Sequence, residues 1–142
     1  MKIVSVLKDF GEYPGLRNCS ISDNSGEQFY HQVLNKTFKE AFEKKEKLII
    51  DLDNTAGYAI SFLDEAFGNL VYDFSLTIVK QYIEIISLQE PHWIDMLEKD
   101  CFPQWEKRRL DKKQPKVTER HASWYRLVDN NLKLDTWIQP AP

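Results

Sequence analysis

The sequence predicts an α/β fold, a small mixed sheet of three to four strands covered by three helices. Three observations carry that reading. Apolar runs of strand length occur around Ile3-Val4, at Leu48-Ile49-Ile50, and at Tyr82-Ile83 with Ile85-Ile86. Between and after them, apolar residues recur at helical spacing, from Phe29 to Phe42, Phe62 to Leu70 and Trp93 to Cys101. Each helical stretch follows a Ser with Gln, Asp or Glu three residues on, which is the capping pattern of a helix start. The order β-α-β-α-β-α calls for a layered sheet-and-helix domain.

Taken in order, Ile3, Val4, Val6 and Leu7, with a polar break at Ser5, read as the first strand. Tyr13-Pro14-Gly15 makes a turn, and residues 16–24 are polar and irregular. Ser25-Gly26-Glu27-Gln28 opens a helix whose apolar face is Phe29, Tyr30, Val33, Leu34, Phe38, Ala41 and Phe42. Lys44, Lys45 and Lys47 suit its negative C-terminal end. A strand over 47–53 and a loop over 54–60 follow, with Gly57 supplying a positive φ. Ser61 is the expected N-cap of a helix over about 62–74, with Asp64 near its first turn. Residues 76–86 read as a third strand in which a helical start stays open. Ser87 and Glu90 predict a third capping box with Pro91 in the first turn.

A chain of 142 residues fits one domain, and 42% hydrophobic with 29% charged residues is ordinary globular composition. A formal net charge of −3 argues against a surface that binds nucleic acid all over. Nothing approaches a membrane span, and the Met1–Gly11 stretch is too short and punctuated for a signal peptide. Cys19 and Cys101, without metal-ligand spacing, read as reduced thiols, so the expected location is cytoplasmic. His31, His92 and His121 share no spacing either, and no cofactor or metal is expected. The boundary falls after residue 105, separating a domain over 1–105 from an extension over 106–142. Residues 106–120 are basic, and SWYRLV and LKLDTWI flank Asp129-Asn130-Asn131 as a β-hairpin. Trp124, Tyr125 and Trp137 either pair across that hairpin or form a recognition surface. The extension is expected to be dispensable for folding and to carry association, as a homodimer contact or a partner contact. Pro140-Ala141-Pro142 should fray.

The stretch Leu48–Gly68 is the most informative part of the chain, because a strand, a tight loop and a helix start meet there. Asp51-Leu52-Asp53-Asn54-Thr55 matches the DxDxT nucleophile motif of haloacid-dehalogenase phosphatases. In such an enzyme Asp51 would attack the phosphoryl group, Asp53 would serve as acid and base, and both would hold Mg²⁺. No downstream Asp-Asp or Gly-Asp-x-x-x-Asp element completes that set. The structural alternative makes Asp51 an acceptor for the amides of Asn54 to Gly57, with Asp53 and Asn54 as turn formers. A third reading gives the basic run a nucleic-acid contact, which is expected to be absent.

Longer motifs point elsewhere. Lys8-Asp9-Phe10-Gly11, a Pro-Gly turn, SGEQF at a helix start, DLDNTAGY and SFLDEAFGNLV follow one another in order. Together, over roughly residues 2–100, they resemble the STAS-like domain family of unknown function, similar to the sulfate-transporter and anti-sigma-factor-antagonist fold. The resemblance implies a non-catalytic, protein-binding regulatory module, bacterial or phage-encoded, whose partner is a kinase-like ATPase or regulator. It implies that the partner docks on the loop and helix start after the strand. Carried onto this sequence, the docking or switch residues are Asp53, Asn54, Thr55, Gly57, Tyr58, Ser61, Asp64 and Glu65. Ser61 would then be either a phospho-acceptor or simply a helix cap, and the cap reading is preferred.

Overall fold

The computed structural model describes residues 2–137. The chain opens with β1 (Lys2–Ser5), α1 (Val6–Asp9), α2 (Gly26–Phe29), α3 (Asn35–Glu43) and β2 (Leu48–Asp51). It continues with α4 (Ile60–Phe74), α5 (Leu76–Tyr82), β3 (Ile83–Ile86), α6 (His92–Met96) and α7 (Phe102–Leu110). Last come β4 (Trp124–Val128) and β5 (Asn131–Asp135). Single π-type turns, Tyr30–Leu34 and Leu97–Cys101, join α2 to α3 and α6 to α7 without a break.

The fold is α/β, as predicted, with a sheet in the order β1-β2-β3. That sheet is wholly parallel rather than mixed. Each connection contains helices, which return the chain to the end it started from. Val4 aligns with Ile50, and Ile50 with Ile85. Val4 and Ile50 are buried in the core beneath the helices, whereas Ile3, one step along β1, is 63% exposed.

Three local differences from expectation have plain causes. The first strand stops at Ser5 because the Ser5 hydroxyl accepts the Lys8 amide at 3.2 Å and Asp9 accepts the Ser5 amide at 2.8 Å. That reciprocal pair caps the short α1. Residues 76–82 are helical because Ser75, at φ 78°, accepts the Ile78 amide and starts a helix there. The third capping box does not form. Glu90 precedes Pro91, which disfavours helical backbone at that position. Ser87 instead donates to the Glu90 carbonyl, and α6 starts at His92. Ser25, by contrast, caps α2 as expected, accepting the Gln28 amide at 3.0 Å.

The boundary expected between residues 105 and 106 falls inside α7. Trp105 is buried, and Glu106 accepts the Leu76 amide at 3.3 Å. The Trp105 ring lies against the backbone of α4 at Gly68, where an added Cβ would stand 2.0–2.3 Å from the ring. Gly26 is similarly placed, 2.4 Å from the Phe62 carbonyl oxygen by the same construction. Both glycines exist for close approach between helices rather than for backbone freedom.

Residues beyond 110 are stitched into the helical layer by three buried polar side chains. Glu27 accepts from Thr118, both amide and hydroxyl, and is paired with His121 Nε2 at 2.7 Å. Burial alone would raise this carboxyl, but the bonds from His121, Thr118 and the Cys19 amide hold it down at about 2. Asn35 donates to the Tyr125 carbonyl and accepts the Tyr125 amide, each at 2.9 Å. Asp73 accepts from Arg126 Nε at 2.7 Å and from the Tyr30 hydroxyl. The segment expected to be dispensable therefore satisfies core groups of residues 27–73, and a chain ending at Arg109 would strip all three of these partners. β4 and β5 pair antiparallel through Asp129 and Asn130, both at positive φ. The aromatics do not pair across them: Trp124 faces Asp135, and Tyr125 faces Leu134. Trp124 is instead buried, edge-on to His31 at 4.5 Å. Pro140, Ala141 and Pro142 lie outside the described residues.

Two measurements test this architecture. Gly68→Ala should destabilise the protein by about 1–3 kcal/mol through overpacking against Trp105, although Ala is the better helix former by about 1 kcal/mol. A stabilised variant in urea denaturation would show that the ring can move aside. The second concerns Asp73, whose carboxyl burial pushes up to about 6 against the lowering effect of Arg126. Held above its unfolded value of about 3.9, this group favours the fold below that value and loses its contribution as pH rises through about 6. Arg126→Gln should therefore cost about 3–5 kcal/mol near pH 7.5, where a bare carboxylate is left buried, and visibly less near pH 5. An equal penalty at both pH values would remove the ion pair from the account.

Candidate functional site

The C-terminal ends of β2 and β3 gather three loops. Asp53 reaches across to the 87–90 loop, its two carboxylate oxygens accepting the Leu88 and Gln89 amides at 3.0 Å each. Asn54 and Gln89 complete the bridge: the Asn54 amide donates to Gln89 Oε1 at 2.7 Å, and Gln89 Nε2 to Asn54 Oδ1 at 3.1 Å. The Ala56 amide donates to the Glu12 carbonyl at 2.8 Å, which ties in the loop after α1. Tyr58 returns its hydroxyl to the Leu52 carbonyl at 2.7 Å and packs on Phe62 and Trp93. Asn54 at φ 72° and Gly57 at φ 127° give the loop its two left-handed bends.

The space enclosed by Leu52, Asp53, Tyr58, Ser87, Glu90 and Trp93 amounts to about 20 Å³. That is room for one water molecule and not for a phosphate ester. Asp51 accepts the Asp53 amide at 2.9 Å, rather than the amides of Asn54 to Gly57. Asp53 is more than the turn former the sequence suggested, since it is buried and fixed at both oxygens. Among the polar Asn54, Gln89 and Glu90 that are also exposed here, two large apolar side chains stand outward: Leu88 is 82% exposed and Ile60, the first residue of α4, is 60% exposed.

The expected docking residues separate into two groups. Asn54, Thr55, Gly57, Tyr58 and Ser61 lie on the surface or half-buried at it. Asp64 and Glu65 are engaged elsewhere: Arg17 donates to Asp64 at 2.7 Å and to Glu65 at 3.1 Å. Glu65 is also buried and accepts from Asn69 at 2.7 Å, so it cannot meet a partner. Ser61 is not a cap. The helix begins at Ile60, and its N-cap is Ala59, which offers no side-chain bond. The Ser61 hydroxyl, two residues past the N-cap, has no cap to make. The sequence missed Leu88 and Ile60; an exposed Leu beside a predicted capping box was the available signal.

Elsewhere the chain offers little nucleophilic chemistry. Burial pushes the Cys19 thiol up to about 12 and raises Cys101 as well. The basic run is partly engaged too: Arg109 pairs with Glu106 at 2.6 Å, and Arg108 lies over the Trp105 ring. No helix among the described residues is long and apolar enough to cross a membrane.

Residues 25–93 match the family described as a STAS-like domain of unknown function. That stretch runs from the cap of α2 to the first turn of α6 and contains the 54–60 and 87–90 loops of the site, but not the loop at Glu12. No curated protein and no solved structure matches the chain.

Ser61→Ala should change stability by no more than about 0.5 kcal/mol, while Ser25→Ala, which deletes a formed cap, should cost about 0.5–2 kcal/mol. Urea denaturation of both variants compares them directly. A larger loss at Ser61 than at Ser25 would restore Ser61 as the structural residue.

Proposed function

We propose that this chain is a non-catalytic regulatory module of the anti-sigma-factor-antagonist type. It binds a protein partner, a kinase-like ATPase or related regulator, through residues 54–61, the first turn of α4 and the adjoining 87–90 loop. The observation that carries the reading is the exposure of Leu88, on a loop braced by hydrogen bonds, and of Ile60 at the start of α4. An exposed apolar side chain on a braced loop loses little further entropy on docking, so its burial in a partner pocket is available as binding energy. The match to a STAS-like domain over residues 25–93 supports the same assignment.

The half-exposed Ser61 hydroxyl, free of any cap, is where such a module would be switched. A phosphate there adds up to about two negative charges to the docking surface. It stands in the first helical turn, where the helix dipole favours it. The phosphatase alternative gains no support, because Asp53 has both oxygens on backbone amides and the adjoining space is too small.

The test uses the full tagged chain expressed in its native host. A partner identified by mass spectrometry should be retained by the wild type and lost from Leu88→Asp and Ile60→Asp at unchanged circular dichroism. Ser61→Asp should weaken the same complex at least tenfold. Equal retention by all variants would move the docking surface elsewhere. An aryl phosphate with Mg²⁺ should not turn over, and turnover abolished in Asp51→Asn would replace this reading with the enzymatic one.

A further inference from the structure

We propose that Cys19, Glu27 and His121 form a three-ligand site for a thiophilic divalent cation of the zinc class, clipping the C-terminal segment onto the start of α2. The inference uses none of the docking-loop residues and does not rest on the proposed function.

The donor atoms converge from three parts of the chain. The Cys19 sulfur, a Glu27 carboxylate oxygen and a His121 ring nitrogen all lie within 4.8 Å of one another. A thiolate, an imidazole and a carboxylate are the donor types that zinc takes, and the sulfur selects against magnesium and calcium. Bonds of about 2.0–2.3 Å in a tetrahedron place donors about 3.3–3.8 Å apart. Closing around an ion therefore takes side-chain movements of roughly 1 Å. Cys19 is partly exposed, whereas the His121 side chain is 10% exposed and Glu27 is buried.

The surroundings are those of a held ligand set. Thr118 fixes Glu27 with its hydroxyl at 2.6 Å and its amide at 3.0 Å, and the Cys19 amide adds a bond at 3.1 Å. The Ser25 hydroxyl lies 3.2 Å from the Cys19 sulfur. The His121 ring is stacked on His31 with centroids 4.1 Å apart, which sets its plane. His31 itself is 5% exposed, and its Nδ1 has no hydrogen-bond partner in the structure. Such outer contacts orient metal ligands and fix the ring that coordinates.

On binding, the cation takes the place of the proton between His121 Nε2 and Glu27, and that proton passes to Nδ1 as the ring changes tautomer. The thiol proton leaves to solvent, the imidazole coordinates as a neutral donor, and water completes the fourth position. Because His121 sits at the head of the segment that runs into β4, the ion would hold that segment where hydrogen bonds alone now do.

The experiment strips the purified full chain, freed of any histidine tag, with chelator and titrates it with Co²⁺ and then Zn²⁺. One equivalent of Co²⁺ should give a sulfur-to-cobalt charge-transfer band, and Zn²⁺ should displace it. Cys19→Ser should abolish the band, Cys101→Ser should keep it, and His121→Ala should raise the dissociation constant at least tenfold. Zn²⁺ should also raise the melting temperature of the wild type, reversibly with chelator. No stoichiometric metal after gel filtration, or a band that survives Cys19→Ser, would overturn the assignment.

Discussion

Three polar side chains packed in the helical layer, Glu27, Asn35 and Asp73, have their partners about fifty to ninety residues further along the chain. Leaving any one of them buried and unpaired costs about 1–3 kcal/mol, and more for the two carboxylates. Residues 118–126 are therefore not free to wander over the surface. They must return Thr118, His121, Tyr125 and Arg126 to fixed points on α2, α3 and α4. The β4–β5 hairpin follows from that constraint, because its two-residue turn at Asp129-Asn130 lets Asp135 come back onto Arg126 at 2.9 Å. The sheet, by comparison, is a plain apolar affair in which β2 is buried by its neighbours on both edges.

At the C-terminal ends of the strands the same economy of polar groups builds a surface. In a parallel sheet, loops collect at the strand ends, and ligands of α/β proteins occupy the space between them. Here Asp53 fills that space with its own hydrogen bonds to the 87–90 loop. With one backbone amide on each oxygen, that carboxylate is held in place by the loop it braces. The end of the sheet becomes a braced surface that exposes Leu88 and Ile60 and leaves only about 20 Å³ of space beside Asp53.

Much of the fold was legible in the sequence because period and capping act locally. The apolar runs at Leu48–Ile50 and Ile83–Ile86 and the amphipathic stretches at 29–42 and 62–70 depend only on near neighbours, and each became the element expected. The errors came where one residue tipped a local balance. Ser5 and Ser75 each accept an amide three residues on, which turned expected strand into helix. Pro91 blocked a cap that Ser87 and Glu90 seemed to spell out in sequence. The placement of the tail was not legible at all. It rests on contacts separated by about ninety positions, such as Glu27 with His121, for which a single sequence holds no period or spacing. The same holds at the site, where Asp53 looks like a turn residue until the 87–90 loop is seen lying beside it.

Ser61, the N-cap that the sequence predicts, stands two residues past the N-cap that forms. A serine at the N-cap is committed: its oxygen satisfies a helix amide, and phosphorylating it would remove a structural bond. With Ala59 at the cap, α4 forms without any help from the serine. The helix is held from its other faces, by Gly68 against Trp105 and by Phe62, Leu63, Ala66 and Phe67 in the core. A charge placed on Ser61 therefore meets a favourable dipole and a helix whose stability is secured elsewhere. Its effect falls on whatever approaches the surface and not on the fold. A regulatory site needs that separation, since a modification that changes docking without unfolding the domain can be written and erased repeatedly.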